Sequence, residues 1–306
     1  MLTRRQALAG YALALSLALP APAALAQSNE KIKVIASFSI LADLVRNVGG
    51  HRVEVGALVG PNGNAHVYAP SPADARKVAD AKAVFVNGMG FEGWLDRLVK
   101  ASGTKAPIVV VTKGVAPRER GDRHAHGHDH GKDDPHAWQS VANAKIYVDN
   151  IRNALIAIDP AGKAAYEANA AAYRTRLDAL EREVKDAIAK LPADRRTVIT
   201  SHDSFGYFGG AYGINFTAPQ GVSTEAEASA KDVASIVRQI KRRKATAVFM
   251  ENVTDPRLLK QIAKETGAKI GGTLYSDALT DETGDAPTYI DLIRHNLKQL
   301  AGALAN

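Results

Sequence analysis

The stretch AGKAAYEANAAAYRTRLDALEREVKDAIAKL, residues 161–191, lies near the middle of the chain and decides how the segments around it are arranged. It is rich in alanine and contains neither glycine nor proline after Gly162, which favours an unbroken helix. About thirty residues at a rise of ~1.5 Å predict a helix ~45 Å long. We expect this helix, which follows Pro160, to join two parts of the chain as a rigid bridge. A projecting coiled-coil arm is the alternative.

Short β-rich runs alternate with helical patterns on both sides of this helix, which indicates parallel sheets flanked by helices. The strands predicted before it are residues 33–38, 53–60, 83–88 and 107–114. Those predicted after it are residues 197–203, 214–219, 247–252 and 268–278, with helices at 224–244, 255–267 and 285–304. We therefore predict an α/β protein of two Rossmann-like lobes, residues 27–159 and 192–306, joined by one long rigid α-helix at residues 160–191.

The first 26 residues have the pattern of a cleavable secretory signal. Arg4 and Arg5 precede an apolar run, and a small-x-small end follows at residues 24–26. The apolar run is shorter than the ~20 residues that span a bilayer, so a membrane anchor is not favoured. We expect the mature chain to be free in the periplasm, and the arginine pair leaves the export route, Sec or twin-arginine, open.

The composition fits an exported globular protein of about two domains. Of the 306 residues, 46% are hydrophobic and 23% are charged, and none is cysteine. A chain of this size can form its core without disulfides, and the absence of cysteine excludes thiolate zinc sites. The formal charge is +7, and its one basic cluster, KRRK at residues 241–244, ends a predicted helix, where cations are favourable. Together with the export signal, this argues against nucleic-acid binding.

Four side chains that could hold a metal ion lie at the ends of predicted strands or beyond them. Ligands of open α/β sheets collect beyond the carboxyl ends of the strands. Each half of the chain supplies two such candidates, and the four are His66, His136, His202 and Asp277. Three neutral imidazoles and one carboxylate suit Zn²⁺ or another divalent first-row metal in tetrahedral coordination. A single histidine near a strand end is more often a structural hydrogen-bonded residue, so position alone does not establish the site.

The sequence around each candidate resembles a known family. The segments GNAHVYAP, DPHAW, TSHDSFGYF and LYSDAL resemble, in order, the four metal-ligand segments of the cluster A-I (cluster 9) solute-binding proteins of zinc and manganese ABC transporters. The resemblance covers nearly the whole mature chain, including the long helix, which joins the two lobes in that family. It implies that His66, His136, His202 and Asp277 are the ligands, in the cleft between the lobes. The family often has Asp-Pro before its first histidine, where this chain has Asn64 and Ala65.

The resemblance implies a periplasmic, high-affinity metal receptor that delivers its ion to an ABC permease. His202 at the third position and the preference of imidazole for zinc favour Zn²⁺ as the bound substrate, and a manganese or mixed receptor is the alternative. We expect a monomer and no catalysis. A zinc hydrolase is less favoured because four protein ligands leave no open position for water. A metal-buffering adhesin of the same fold is not excluded by the sequence.

Further residues are candidates for supporting roles. Four histidines lie in the Gly-rich and charged loop predicted at residues 115–134, and we expect them to capture zinc weakly and pass it inward: His124, His126, His128 and His130. A tolerated surface loop without a transport role is the alternative. Asp203 and Glu251 lie at the ends of predicted strands and are candidates to orient a ligand histidine through its second nitrogen. A helix cap or a loop hydrogen bond is the alternative for each. A periplasmic metallochaperone is a further possible partner.

Overall fold

The computed structural model describes residues 31–118, 133–243 and 247–305. The strands of this part of the chain are β1 (Ile32–Phe38), β2 (Val53–Val59), β3 (Val84–Val86), β4 (Ile108–Val110), β5 (Thr197–Ile199), β6 (Asn215–Thr217), β7 (Ala247–Glu251) and β8 (Lys269–Leu274). Its α-helices are α1 (Ser39–Gly49), α2 (Pro72–Asp80), α3 (Leu95–Ser102), α4 (Val141–Ile158), α5 (Lys163–Ala189), α6 (Gly206–Tyr212), α7 (Ala230–Arg243), α8 (Arg257–Thr266) and α9 (Tyr289–Leu304). The predicted signal segment and the histidines at 124, 126, 128 and 130 lie outside the described residues.

The strands form two parallel sheets of the same topology. The first has the strand order β2-β1-β3-β4 and the second the order β6-β5-β7-β8. Neighbouring strands pair in parallel, with Ile32 opposite Val53 in the first sheet and Val198 opposite Ala247 in the second. In each sheet the chain moves to opposite sides of its first strand, which creates a crevice at the carboxyl ends of the strands. This confirms the prediction of an α/β fold with two parallel sheets.

The long helix is present as α5, whose 27 residues extend about 40 Å. A short 3₁₀ turn at Pro160–Gly162 precedes it. One face of α5 is buried along its whole length, at positions three or four residues apart: Tyr166, Ala170, Tyr173, Leu177, Leu180, Val184 and Ile188. This stripe packs against α1 and α4 of the first half and α9 of the second. The helix therefore joins the halves along its side and does not project as a coiled-coil arm.

The hydrophobic core continues from one half to the other. One cluster includes Phe38 and Phe85 from the first sheet, Leu177 from α5, and Phe249 and Leu274 from the second sheet. A smaller, separate cluster lies under α7 and α8 on the outer face of the second sheet. Since apolar burial supplies most of the stabilisation of a fold, the main cluster holds the two halves together.

Two helices begin later than their sequence patterns predict. The pattern starts at residue 224, whereas α7 begins at Ala230, because Thr224 takes part in contacts with the first half and Ser229 caps the helix by accepting the N–H of Asp232. Similarly, α9 begins at Tyr289 and not at residue 285, with the Thr288 hydroxyl accepting the N–H of Asp291. In the part of the chain that the structure describes, no helix combines the length and apolarity needed to cross a bilayer.

Candidate metal centre

The four predicted ligands lie together between the two sheets. One nitrogen or oxygen atom from each of His66, His136, His202 and Asp277 lies within 4.8 Å of the corresponding atoms of the other three. Nε2 of His66 is 3.3 Å from Nε2 of His136 and 3.3 Å from Oδ2 of Asp277. Nε2 of His202 is 3.1 Å from Oδ2 of Asp277, and Nε2 of His136 is 3.6 Å from Oδ1. The structure thus converges two side chains from each half on one point.

His66 lies in the loop between β2 and α2. Its backbone N–H donates to Oδ1 of Asn64 at 3.0 Å, which is a local turn of the kind that asparagine favours. Its ring packs edge-on against Phe91, with 4.7 Å between ring centroids. Next to it, the indole N–H of Trp94 donates to the carbonyl oxygen of Ala65 at 2.7 Å. These contacts hold the imidazole with its Nε2 toward the other ligands.

His136 follows the loop after β4 and is fully buried. Oδ1 of Asp134 lies 2.9 Å from both the backbone nitrogen and Nδ1 of His136. A carboxylate at Nδ1 fixes the ring orientation and leaves Nε2 free to bind a cation. The carbonyl oxygen between them, that of Pro135, accepts the side-chain N–H of Asn87 at 2.9 Å, which anchors this segment to the end of β3.

His202 follows β5 and is contacted by Glu251, which lies at the end of β7. Oε1 of Glu251 accepts the backbone N–H groups of Ser201 and His202 at 2.7 and 2.9 Å. Oε2 of Glu251 lies 2.5 Å from Nδ1 of His202. Glu251 therefore contacts the second nitrogen of a predicted ligand histidine, and its role in orienting that ring stays a prediction.

Asp277 follows β8, and donors from the other half reach the residue before it. The carbonyl oxygen of its neighbour Ser276 accepts the indole N–H of Trp138 at 2.9 Å and the side-chain N–H of Gln139 at 2.8 Å. Trp138 and Gln139 lie two and three residues after His136 in the chain. The segment that carries His136 is thus hydrogen-bonded to the segment that carries Asp277.

The charges of the cluster shift the pKa values of its members in opposite directions. Burial lowers the pKa of His66 to about 4, against the opposing effect of Asp277. Burial acts the same way on His202, but the carboxylates of Glu251 and Asp277 outweigh it and raise the pKa of that imidazole well above 6.5. Burial raises the pKa of Asp277, yet His202 and His136 hold it well below its usual range. The cluster thus contains an ionised carboxylate at neutral pH.

The polar atoms at the centre fit a divalent cation. Both carboxylate oxygens of Asp277 and Nε2 of His202 are buried without a hydrogen-bond partner among the described residues. Buried polar atoms without partners cost stability, so they mark a place where a ligand completes the structure. A tetrahedral ion with bonds of ~2.0–2.1 Å has ligand-to-ligand edges of about 3.3 Å, close to the spacing of these atoms. The cluster is a three-histidine, one-aspartate site for a divalent metal.

Three polar residues that support the site were missed at the sequence level. Asn64 and Asp134 each lie two residues before a ligand histidine and accept its backbone N–H. The repeated pattern of Asn or Asp two residues before histidine was a signal that could have found both. Glu92, just beyond β3, is the counterpart of Glu251, since it accepts the N–H groups of Asn87 and Gly88 at 2.7 and 3.1 Å.

The orienting role considered for Asp203 stays a prediction, because the described part of the structure shows no direct contact that would carry it. Among the described residues, its carboxylate forms no ion pair within 4 Å of a ligand histidine, and burial raises its pKa, with the charge of Asp134 adding to the effect. The second nitrogen of His136 is instead contacted by Asp134. The histidines at 124, 126, 128 and 130 lie outside the described residues, so their capture role stays a prediction.

Comparison with known proteins agrees with this site. A protein-family profile described as "Zinc-uptake complex component A periplasmic" matches residues 34–303. The chain is 34% identical to the iron-binding protein YfeA of Yersinia pestis over 284 residues, 91% of this chain and 90% of that protein. It is 34% identical to the manganese-binding lipoprotein MntA of Halalkalibacterium halodurans over 280 residues, with the same coverage of each.

Solved structures show the same fold. The periplasmic zinc binding protein TroA from Treponema pallidum has a TM-score of 0.83 and 28% identity, covering 90% of this chain and all of that one. A Mn-bound periplasmic metal binding protein from Candidatus Liberibacter asiaticus has a TM-score of 0.79 and 31% identity, with the same coverage. Both likenesses extend over nearly all of the chain, including both halves and the helix between them.

Proposed function

The chain belongs to the zinc-uptake complex component A periplasmic family, and from this premise we propose that it is a periplasmic zinc receptor that captures Zn²⁺ and delivers it to an ABC permease for import. In this proposal His66, His136, His202 and Asp277 bind the ion. The observation that carries it is the convergence of four buried ligand atoms, two from each half, within 4.8 Å of one another. The family consists of solute-binding proteins, and the chain is not an enzyme.

The choice of zinc rests on the type and number of ligands. Three imidazoles and one carboxylate at tetrahedral spacing are typical of closed zinc sites, and imidazole binds Zn²⁺ more strongly than Mn²⁺. His136 and His202 each have a carboxylate at the second nitrogen, which increases the electron density that the imidazole offers the metal. Both features favour zinc as the substrate.

A manganese or mixed receptor of the same family is the second candidate. One observation favours it: both oxygens of Asp277 face the histidines, with Oδ2 near His66 and His202 and Oδ1 near His136. A carboxylate placed in this way can bind through two oxygens, which raises the coordination number and suits an oxygen-preferring ion. Relatives named for manganese and iron are consistent with this alternative.

A hydrolase is poorly supported by the surroundings of the site. A catalytic zinc needs an open position and a nearby base to activate water. Here the ligand set is filled by protein, and the carboxylates beside the ligand histidines, those of Glu251 and Asp134, already accept backbone N–H groups. A receptor needs only tight and reversible binding, which the four ligands supply.

The location and partners follow from the export signal and the family. We propose that the mature chain is free in the periplasm, because the sequence has no cysteine to carry a lipid. Its transport partner is then an ABC permease in the inner membrane, and a periplasmic metallochaperone is a further partner to test. A metal-buffering adhesin would share the site without the permease.

The proposal is tested by competition titration of the metal-stripped protein with Zn²⁺ and Mn²⁺ against a chelator of known affinity. Wild-type protein should bind one equivalent and prefer zinc. His66→Ala should weaken binding at least a hundredfold, whereas His51→Ala, at an exposed histidine outside the site, should not. Near-native affinity in His66→Ala contradicts the ligand assignment, and tighter manganese binding supports the second candidate.

Transport requires a separate test in cells. Loss of the gene should slow growth in zinc-depleted medium, and added zinc should restore it. Unchanged zinc uptake in the deletion strain would favour a buffering adhesin over a receptor.

A further inference from the structure

Asn64 connects the loop of His66 to two loops of the opposite half. Its Oδ1 accepts the backbone N–H of His66 at 3.0 Å. Its Nδ2 donates to the carbonyl oxygen of Val253 at 3.1 Å and lies 2.9 Å from the hydroxyl of Thr224. Thr224 follows β6 and Val253 follows β7, so both belong to the C-terminal half. A single side-chain amide therefore bonds a ligand segment of one half to two segments of the other.

These bonds depend on an amide at position 64. The acceptor Oδ1 supports His66, while the donor Nδ2 reaches the carbonyl of Val253, and only asparagine offers both at this length. The family that the sequence resembles often has aspartate at this position, and an ionised aspartate side chain has no hydrogen-bond donor. The bond to Val253 is therefore a property of this chain's own residue.

The Asn64 contacts lie on the solvent side of the site. Asn64, Thr224 and Val253 line an open cavity of about 520 Å³ that extends to Ser201, the neighbour of His202. His66 is 5% exposed, whereas the other three ligands are fully buried. Of the four ligands, the one nearest to solvent is therefore His66.

The opposite side of the site is closed by a different kind of contact. The carbonyl of Ser276, beside Asp277, is bonded to Trp138 and Gln139, and all of these residues are buried. Bonds of this kind are costly to break because they leave buried polar groups without partners. The half-buried bonds of Asn64 are replaced by water at lower cost, so they are the ones that yield first.

We infer that Asn64 is a positioning residue that holds the His66 loop against the C-terminal half once an ion is bound, and that its amide sets how fast the ion leaves. The inference rests on the proposed function, since it treats His66 as a ligand. In this inference capture of the ion precedes the closing of these bonds, so the association rate does not depend on them.

The test is the rate at which Zn²⁺ leaves the loaded full-length mature protein into an excess of a chromogenic chelator, followed by stopped flow. Asn64→Asp keeps the acceptor for His66 but places an oxygen against the carbonyl of Val253. Its dissociation rate should rise roughly tenfold, the effect of one lost hydrogen bond in this position. Its association rate should stay within twofold of wild type.

Two further variants make the result specific. Asn150→Asp is the matched control, because Nδ2 of Asn150 also donates to carbonyl oxygens, those of Val111 and Lys113, but within the N-terminal half. It should leave both rates unchanged. Thr224→Val removes the hydroxyl that lies within hydrogen-bond distance of both Oδ1 and Nδ2 of Asn64 and leaves Asn64 itself unchanged, so it tests the same contact if Asn64→Asp does not fold. It should speed release about threefold and add little to Asn64→Asp in the double variant.

The inference is overturned if Asn64→Asp and Thr224→Val both release zinc at the wild-type rate, or if Asn150→Asp releases it as fast as Asn64→Asp. Failure of the proposed function shows differently, as near-native affinity in His66→Ala. The two results are read from separate variants, so one can fail without the other.

Discussion

The indole N–H of Trp138 donates a 2.9 Å hydrogen bond to the carbonyl oxygen of Ser276, although the two residues belong to opposite halves of the molecule. Each lies within two residues of a predicted ligand, Trp138 after His136 and Ser276 before Asp277. Because both ends of the bond are buried, the positions of the two ligands depend on each other. The ligand pair is thus set largely by the fold itself.

Trp138→Phe should therefore weaken zinc binding while keeping the packing of the ring. Ser276 retains its bond to Gln139, so we expect a loss of roughly fivefold in affinity, in line with one neutral hydrogen bond. Chelator competition measures it. Tyr166→Phe also deletes one buried donor, in its case to Asp159, but far from the ligands, and should lower stability without changing affinity. Equal affinities for Trp138→Phe and wild type would contradict this coupling.

Glu251→Gln should lower the affinity for zinc by about tenfold to a hundredfold, since the carboxylate contacts Nδ1 of a ligand histidine. Glu92→Gln is its counterpart in the N-terminal half, where the carboxylate accepts similar backbone bonds but touches no ligand. It should reduce stability and leave the intrinsic affinity within a fewfold of wild type. If both variants lose affinity equally, Glu251 acts only through folding.

Zinc binding at pH 7 should release about one proton. The raised pKa of His202 makes its side chain an imidazolium, and the ion must displace a proton from this ring in order to bind it. His66, whose pKa is lowered to about 4, is already neutral and releases none. Calorimetry in buffers of different ionisation enthalpy gives the number. A binding enthalpy that does not vary with the buffer would show that His202 is neutral before the ion arrives.

The ion pair of Arg52 and Asp159 predicts a pH dependence of stability apart from the metal site. Burial raises the pKa of Asp159, but hydrogen bonds from Tyr166 and Arg52 outweigh it and lower the pKa below 3.8. A carboxyl group whose pKa is lower in the folded state stabilises the fold at pH values above its pKa in the unfolded state. This contribution disappears as the pH falls through the pKa of the folded state. Asp159→Asn should cost about 2 kcal/mol at pH 7.

That cost should shrink below about pH 4, where the unfolded carboxyl of the wild-type protein is itself protonated. Urea unfolding of the metal-stripped protein at pH 7 and pH 3.5 measures both values. A difference that stays constant between the two pH values would mean that packing, and not charge, explains the loss.

Deletion of residues 123–132 should remove weak zinc binding while leaving one tight equivalent, because the four proposed ligands lie outside that segment. Transfer of zinc at low concentration should slow if the four histidines concentrate the ion. Unchanged stoichiometry, affinity and transfer would favour a surface loop without a transport role. Equilibrium dialysis at two zinc concentrations separates the weak and tight sites.

The fold was predictable because its signals are local. Alternating strand and helix patterns located all the strands of the described residues, and the uninterrupted Ala-rich stretch located α5. The start of α7 was wrong because Thr224 contacts Asn64, 160 residues away, and this tertiary contact replaces the helical pattern. The continuous core was also not evident, since packing between halves leaves no pattern in either one.

The four ligands could be predicted because each lies in a recognisable sequence segment near the end of a strand. Glu251 was found by the same reasoning, whereas Asp203 was an equally plausible carboxylate in the sequence. What separates them is a contact: Glu251 reaches under β5 to His202, and Asp203 points to no ligand histidine within ion-pair distance among the described residues. Such a choice depends on side-chain geometry, which residue type and spacing do not encode.

The apolar stripe along α5 has a mechanical consequence for cargo handling. The buried face of α5 contacts both halves of the molecule over about 40 Å. It therefore resists the large hinge motion by which a two-lobed protein would enclose a sugar or a peptide. A single cation requires no such motion, because its ligand bonds are only ~2 Å long and small displacements of the ligands are enough to break them. A rigid connection between the halves, combined with movement of the His66 loop alone, is therefore sufficient for a receptor that binds and releases a single ion.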